Sequence, residues 1–127
     1  CITFTALAQG ILSDNYLNGV PADARVNRPG GGSLQQSHLS PENLERVRGL
    51  NEIAKRRGQT LAQMALAWVL RDPRVTSTLI GASNSAQIRE NVAALKNLSF
   101  SAQELADIDA QAKEGAINLW AGSSSHR

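Results

Sequence analysis

Gly81, Ser83, Gln87, Glu90 and Asn91 form the stretch whose residue types and spacing best suit chemistry. Gly81 has no Cβ and admits close approach of a ligand to the backbone. Ser83, Gln87 and Asn91 recur every four residues, and Glu90 stands three beyond Gln87. On a helix that spacing lines donors and acceptors along one side of its amino end. The amides of that first turn lack partners within the helix and attract anions. A phosphate, ribose hydroxyls and a purine amine all find complementary groups in such a row. The same spacing also describes a polar, solvent-facing stripe with Ser83 or Ser85 as an ordinary cap, and spacing alone leaves both readings open.

To present the row, a strand must end near Gly81 and a helix must begin after it. The run 75–80 is apolar and β-branched and predicts that strand, and Ile88, Val92 and Leu95 predict the inward stripe of the helix. A second strand is predicted at the opening, Ile2-Thr3-Phe4-Thr5. From Ser13 to Ser40 there is no periodicity, only turn residues such as Gly19, Pro21, Pro29 and Gly30-Gly31-Gly32, as in a binding loop or lid. Ser40-Pro41-Glu42 starts a helix with Leu44, Val47, Leu50 and Ala54 inward and Gly58 as its stop. Thr60-Leu61-Ala62-Gln63 is a capping box for the next helix, which buries Leu61, Met64, Ala65, Trp68 and Val69 and ends at Asp72-Pro73. Ser101-Ala102-Gln103-Glu104 opens a last helix with Leu105, Ile108 and Ala112 inward. A polar tail follows, interrupted by Leu119 and Trp120.

The resulting order is strand, long loop, two helices, strand, helix, helix. Strands separated by helices pair in parallel and are buried on both faces. Two strands alone leave open edges and too little sheet for four amphipathic helices. The expected architecture is therefore the carboxyl-terminal portion of a (β/α)8 barrel: its last two strand-helix units plus extra helices, incomplete by itself. Its expected parts are a strand and turn over 1–12, a loop over 13–40, two helices over 41–71, a strand and helix over 75–95, and a helix and tail over 101–127. The chain opens without methionine, almost inside a strand, and is expected to be a piece of a longer protein.

Composition narrows the field. With 127 residues, 42% hydrophobic and 19% charged, the sequence is that of one globular domain rather than a disordered chain. No run of about 18 apolar residues and no signal segment is present, which sets the expectation of a cytoplasmic protein without membrane partners. A single cysteine, Cys1, excludes an internal disulfide and multi-thiolate metal sites, and His38 and His126 are expected on the surface. Arg46, Arg48, Arg56 and Arg57 crowd one helix, but Glu42, Glu45 and Glu52 are interleaved with them. Aromatic residues make up only 4%, too few for base stacking, so the stretch is expected to be a solvated face with no nucleic-acid partner.

The stretch Leu79-Ile80-Gly81-Ala82-Ser83-Asn84, continuing Gln87-Ile88-Arg89-Glu90-Asn91, resembles the adenosine-phosphate motif of aldo-keto reductases. It is most similar to the branch of potassium-channel β subunits and bacterial L-glyceraldehyde 3-phosphate reductases. Leu7-Ala8-Gln9-Gly10-Ile11-Leu12, with Tyr16-Leu17-Asn18-Gly19-Val20-Pro21 and Arg25, resembles that family's seventh strand and the loop folding over its cofactor. The likeness runs on through Gln63-Met64-Ala65-Leu66-Ala67-Trp68 to Asn118-Leu119-Trp120. It implies NADPH as cofactor, with Gly81, Ser83, Gln87, Glu90 and Asn91 on the 2′-phosphate, ribose and adenine. It further implies Thr5, Leu7, Gly10, Ile11 and Ser13 along the pyrophosphate and nicotinamide side, with Arg25 reaching a phosphate. Arg89 points away from the Gln87 side of its helix and is expected in solvent.

Two departures stand out. Thr5-Ala6 replaces the family's Ser-Pro pair, and Asp14-Asn15 replaces Gly-Lys. Losing a lysine and gaining an acid beside a pyrophosphate weakens anion binding by about 1–3 kcal/mol if the site is partly desolvated. The family's tetrad of Asp, Tyr, Lys and His is also missing. Tyr16 is the only tyrosine and matches the cofactor loop, and none of Lys55, Lys96 and Lys113 follows a strand. A general acid must lie within hydrogen-bond reach of the carbonyl it protonates, and no residue here takes that role. The resemblance thus implies NADPH-dependent reduction of a small aldehyde or ketone by a parent protein. An upstream segment would supply the rest of the barrel and the tetrad, and the parent is expected to be a homo-oligomer. This segment alone is expected to be inactive. The alternative is a truncated, non-catalytic partial barrel or a regulatory cofactor-binding subunit acting through protein contacts.

Overall fold

The computed structural model describes residues 1–13, 16–18, 22–23, 27, 29 and 39–112. Strand β1 (Ile2–Thr3) and strand β2 (Ser77–Thr78) pair in parallel, with Ile2 opposite Ser77 and Thr3 opposite Thr78. The Thr76 amide donates to the Cys1 carbonyl at 2.7 Å and the Leu79 amide to the Thr3 carbonyl at 2.8 Å, extending the ladder at both ends. Both strands are shorter than their sequence runs. Thr5 turns the chain at φ 59°, and among the described residues neither strand has a neighbour on its other edge to prolong a ladder.

Helix α1 (Pro41–Arg56) starts where Ser40 caps it: the Asn43 amide donates to the Ser40 hydroxyl, and Pro41 fills a position that needs no N–H. It ends in a Schellman turn. Gly58 sits at φ +70°, the Gln59 amide donates to the Ala54 carbonyl and the Gly58 amide to that of Lys55. Helix α2 (Leu61–Leu70) opens on the predicted capping box of Thr60 and Gln63 and stops before Asp72-Pro73. Helix α3 (Ser85–Ala93) runs into a 3-10 turn, Ala94–Lys96. Helix α4 (Ala102–Gln111) has the predicted capping box of Ser101 and Glu104.

Helix α1 packs on α2 and α4, while α2 also touches α3, the 3-10 turn and β2. This central place explains why α2 buries Leu61, Ala62, Met64, Ala65, Leu66 and Ala67, more than one stripe. Val47, Ile53, Ala54, Leu61, Met64 and Ile108 form the core together with Ile11, Tyr16 and Leu39. Trp68 lies half-buried at the margin under the Arg71 guanidinium, 3.9 Å from the ring centroid.

The inward stripe predicted for α3 is absent: Ile88, Val92 and Leu95 are 49%, 55% and 58% exposed. Ala112 at the end of α4 is exposed as well. The sheet shows the same inversion, with Ile2, Phe4, Leu79 and Ile80 exposed while Thr3 and Thr78 are half-buried. Apolar periodicity marks a face suited to burial, and nothing among the described residues covers these faces. No helix among the described residues is long and apolar enough to cross a membrane.

The cluster of arginines is also less uniform than a solvated face. Arg56 is two-thirds exposed, but the Arg57 side chain is 1% exposed. Its guanidinium donates to Glu104 Oε2 at 2.6 Å, Ser99 O at 2.8 Å, Gln59 Oε1 at 3.0 Å and Asn97 O at 3.3 Å, and it stacks 3.7 Å from the Phe100 centroid. Five donors in a rigid fork allow one arginine to bind this many acceptors at once.

Candidate functional site

Because β1 and β2 are parallel, their carboxyl ends lie at the same edge of the sheet, and the chain leaves both ends side by side. After β1 comes a tight turn. Thr5, Ala8 and Gln9 have φ of 59°, 47° and 55°, and Gly10 has 99°. The Ala8 amide donates to Thr5 O at 2.9 Å, the Gly10 amide to Leu7 O at 2.9 Å, and the Ser13 hydroxyl to Gly10 O at 2.6 Å. A left-handed β-branched residue costs free energy, and such conformations gather where function demands them. Ile11 anchors the turn, 2% exposed in the core, while Thr5, Leu7, Gly10 and Ser13 stay partly accessible. The left-handed run from Ala8 to Gln9 had no signal in the residue types. Only the glycine at position 10 hinted at it.

After β2, the chain runs through Gly81 into α3. A Cβ built on Gly81 meets no heavy atom within 4 Å, so packing within the described chain does not account for this glycine. The cap of α3 is Asn84, not Ser83 or Ser85. The Gln87 amide donates to Asn84 Oδ1 at 2.9 Å, and the Ser83 amide donates to Gln87 Oε1 at 2.7 Å. Asn84 with Gln87 three residues on has the spacing of Thr60 with Gln63, a signal that stood in the sequence, although Gln87 Oε1 takes the Ser83 amide and not that of the cap residue. The cap uses the Gln87 amide. The other amides of the first turn have no partner within the helix, which leaves an exposed amino end suited to an anion.

Of the row on α3, Ser83 and Gln87 are joined directly and open to solvent, Glu90 is half-buried, and Asn91 is 7% exposed. Four residues advance 400° around a helix, so a series with that spacing drifts, and its last member turns toward the interior. Arg89 is exposed, as expected. Glu90 is held from behind, because Gln63 Nε2 of α2 donates to its backbone carbonyl at 2.9 Å. Arg25 lies outside the described residues, as do Asp14, Asn15, His38, Lys113, Leu119, Trp120 and His126. Tyr16 is 4% exposed within the core. Among the described residues, no group of three or more His, Cys, Asp or Glu side chains could hold a metal ion.

The arrangement pairs a strained turn after one strand with a glycine exit and a helix amino end after its neighbour. It can bind an elongated anionic ligand across two adjacent strand ends, the usual position of ligands in parallel α/β folds.

Comparison with known proteins bears on what that ligand is. Residues 1–113 match the sequence profile of the aldo/keto reductase family. Over 126 residues the chain is 54% identical to L-glyceraldehyde 3-phosphate reductase of Escherichia coli (strain K12), covering 98% of this chain and 36% of that protein. It is 37% identical over 106 residues to a probable voltage-gated potassium channel subunit beta of Oryza sativa subsp. japonica, covering 83% of this chain and 32% of that protein. A protein of Arabidopsis thaliana with the same name is 38% identical over 94 residues, covering 73% of this chain. The chain thus spans about a third of the length of the curated relatives it matches.

Proposed function

The chain belongs to the aldo/keto reductase family, and on that footing we propose that it is the cofactor-gripping, carboxyl-terminal part of an NADPH-dependent carbonyl reductase. Membership implies a (β/α)8 barrel, and an α/β chain with a two-stranded open parallel sheet is consistent with part of one. In the proposed reading these are its last two strand-helix units. The observation that carries the reading is the parallel register of β1 and β2, which brings the Thr5 turn and the Gly81 exit to one edge.

Each residue has a defined task in this reading. Gly81 lets the ligand approach the backbone, and the exposed amino end of α3 faces the adenosine phosphate. Ser83 and Gln87 offer a hydroxyl and an amide to the ribose and its 2′-phosphate, while Glu90 and Asn91 bound the adenine. Thr5, Leu7, Gly10, Ile11 and Ser13 shape the turn along the pyrophosphate and nicotinamide side, and Arg25 reaches a phosphate as a bidentate donor. When bound, the nicotinamide supplies hydride chemistry. This chain binds and orients, and the proton donor for the carbonyl comes from the Asp, Tyr, Lys and His tetrad of an upstream segment. That segment also covers Ile2, Phe4, Leu79 and Ile80. The substrate is a small aldehyde or ketone. The reductase reading is favoured over a regulatory, channel-subunit-like one by the higher identity, 54% against 37%.

The test separates binding from turnover. Adenosine 2′,5′-bisphosphate titrated into the 127-residue chain should bind saturably. NADPH oxidation driven by glyceraldehyde 3-phosphate should be absent from the chain alone and present once it is joined to an upstream segment carrying the tetrad. A chain that does not bind the nucleotide, or one that turns over aldehyde unaided, overturns the proposal.

A further inference from the structure

Gln63 uses both ends of one amide group. Its Oε1 accepts the Thr60 amide at 3.0 Å and closes the capping box of α2, while its Nε2 donates to the Glu90 carbonyl of α3 at 2.9 Å. The first bond belongs to α2 alone. The second spans 27 residues and ends on the backbone of the helix whose amino end forms the candidate site. A capping box needs only an acceptor at this position, so glutamate would serve it equally well, as Glu104 does in α4. The Nε2 donor is what only glutamine adds.

The need for such a tie follows from the exposure of α3. Ile88, Val92 and Leu95 are uncovered, and Asn91 and Ala94 are the only described residues from Ser85 to Lys96 that are buried. With little apolar burial to fix it, the helix relies on hydrogen bonds to set its place. Two such ties hold the end of the 3-10 turn that follows it, since Gln59 Nε2 and Arg57 both donate to Asn97 O, at 3.1 and 3.3 Å. Gln63 holds the middle of α3, one residue from Asn91 and three from Gln87.

We infer that Gln63 is a positioning residue for nucleotide binding: through Nε2 it fixes α3 against α2, so that Ser83, Gln87 and the first-turn amides meet the phosphate at a set distance. The inference rests on the nucleotide reading above. It assigns Gln63 no contact with the ligand.

Two neutral substitutions separate positioning from capping. Gln63→Met removes both side-chain bonds without changing charge. Thr60→Val removes the hydroxyl that caps the Gln63 amide but leaves Nε2 able to reach Glu90 O. Both lower the stability of α2. Only Gln63→Met should weaken binding of adenosine 2′,5′-bisphosphate to the 127-residue chain, by about 3- to 10-fold, the range for one lost hydrogen bond. It should also speed amide exchange in α3, and Thr60→Val should not. If Gln63→Met does not fold, Gln63→Glu keeps the capping acceptor and loses the donor. Measured at 1 M ionic strength, where screening acts over about 3 Å, it should weaken binding to a similar extent. Equal losses in Gln63→Met and Thr60→Val, or unchanged affinity in a folded Gln63 variant, overturn the inference while the nucleotide reading stands. Failure of the unsubstituted chain to bind the nucleotide sinks both.

Discussion

Arg56 and Arg57 are neighbours of identical chemistry, and replacing each by methionine should have very different consequences. Arg56 is two-thirds exposed and reaches Asp107 at 3.3 Å. Exposed pairs of that kind contribute about 0–1 kcal/mol, so Arg56→Met should change stability by less than about 0.5 kcal/mol. The Arg57 side chain is 1% exposed, and the loss is larger. Removing one partner of a buried ion pair costs about 3–5 kcal/mol when the other charge is stranded. Here the stranding is partial. Glu104 is one-third exposed and still accepts the Ser101 amide, and Asn97 O still accepts from Gln59. Ser99 O and Gln59 Oε1 each lose a bond with no second donor among the described residues to take its place, and Phe100 loses its stacked cation. The resulting estimate for Arg57→Met is about 2–3 kcal/mol. Urea unfolding followed by far-ultraviolet circular dichroism measures both variants on the same footing, since an unchanged m value certifies that midpoint shifts report stability. A double-mutant cycle with Glu104→Gln should show a coupling of about 1–2 kcal/mol, because the pair is in direct contact. If the Arg56 and Arg57 variants unfold at the same denaturant concentration, the buried network contributes nothing and the reasoning fails.

Gly81→Ala should leave stability within about 0.5 kcal/mol, because a Cβ there meets no heavy atom within 4 Å, yet weaken adenosine 2′,5′-bisphosphate about tenfold; a clear loss of stability would show that the glycine serves the fold. Gly49→Ala should stabilise α1 by about 0.5–1 kcal/mol, since the new Cβ meets only the flexible end of the Gln111 side chain, 2.6 Å away, and a lower melting temperature would refute this. Arg74 donates side-chain and backbone hydrogen bonds to Asp72 and holds its carboxyl well below the usual carboxylate range. A depressed folded-state pKa gives stability that is present above the unfolded value and lost as pH falls through and below the usual carboxylate range. The Asp72 carboxyl resonance should therefore titrate below the usual carboxylate range and move only part of the way back in Arg74→Gln, which loses the side-chain bonds but keeps the backbone N–H; an Asp72 that titrates normally in the unsubstituted chain would refute this. Ile88→Ser, at a site 49% exposed, should cost under about 1 kcal/mol, against about 3 kcal/mol for Leu61→Ala at 0% exposure. Equal costs would mean that α3 buries its apolar stripe in solution.

Local signals in the sequence proved dependable, and signals that need a partner did not. Ser40, Thr60 and Ser101 cap the helices they were expected to cap, and Gly58 closes its Schellman turn, because each motif is satisfied within a few residues. Ile2-Thr3-Phe4-Thr5 and the run 75–80 announced strands whose register is parallel as expected, but a ladder needs neighbours, and among the described residues each strand pairs only with the other. The burial of Arg57 was hidden for a related reason. Its partners Asn97, Ser99 and Glu104 lie 40 to 47 residues away, and no spacing along α1 distinguishes it from Arg56. Within the candidate site, the polar row on α3 was legible as a row. Its drift toward the interior at Asn91, and the hold of Gln63 on Glu90, were not.

The faces that stayed open carry information of their own. At β1 the apolar residues Ile2 and Phe4 are mostly exposed while Thr3 between them is half-buried, the reverse of what a sheet of two strands would select for itself. Chance placement of single apolar residues on a surface is common. Here, however, Ile2, Phe4, Leu79 and Ile80 lie in or directly after the two short strands, and Ile88, Val92 and Leu95 add an exposed helical stripe further along the chain. Exposed apolar residues gathered at both strands suit burial against further chain, and a barrel closed by further parallel strands would cover both faces of the sheet. Helix α3 then stands where two demands meet. Under the proposed function its amino end stays open to an anionic ligand while its apolar stripe, exposed among the described residues, meets a further segment, and the hydrogen bond from Gln63 lies between the two, on the helix's attachment to α2.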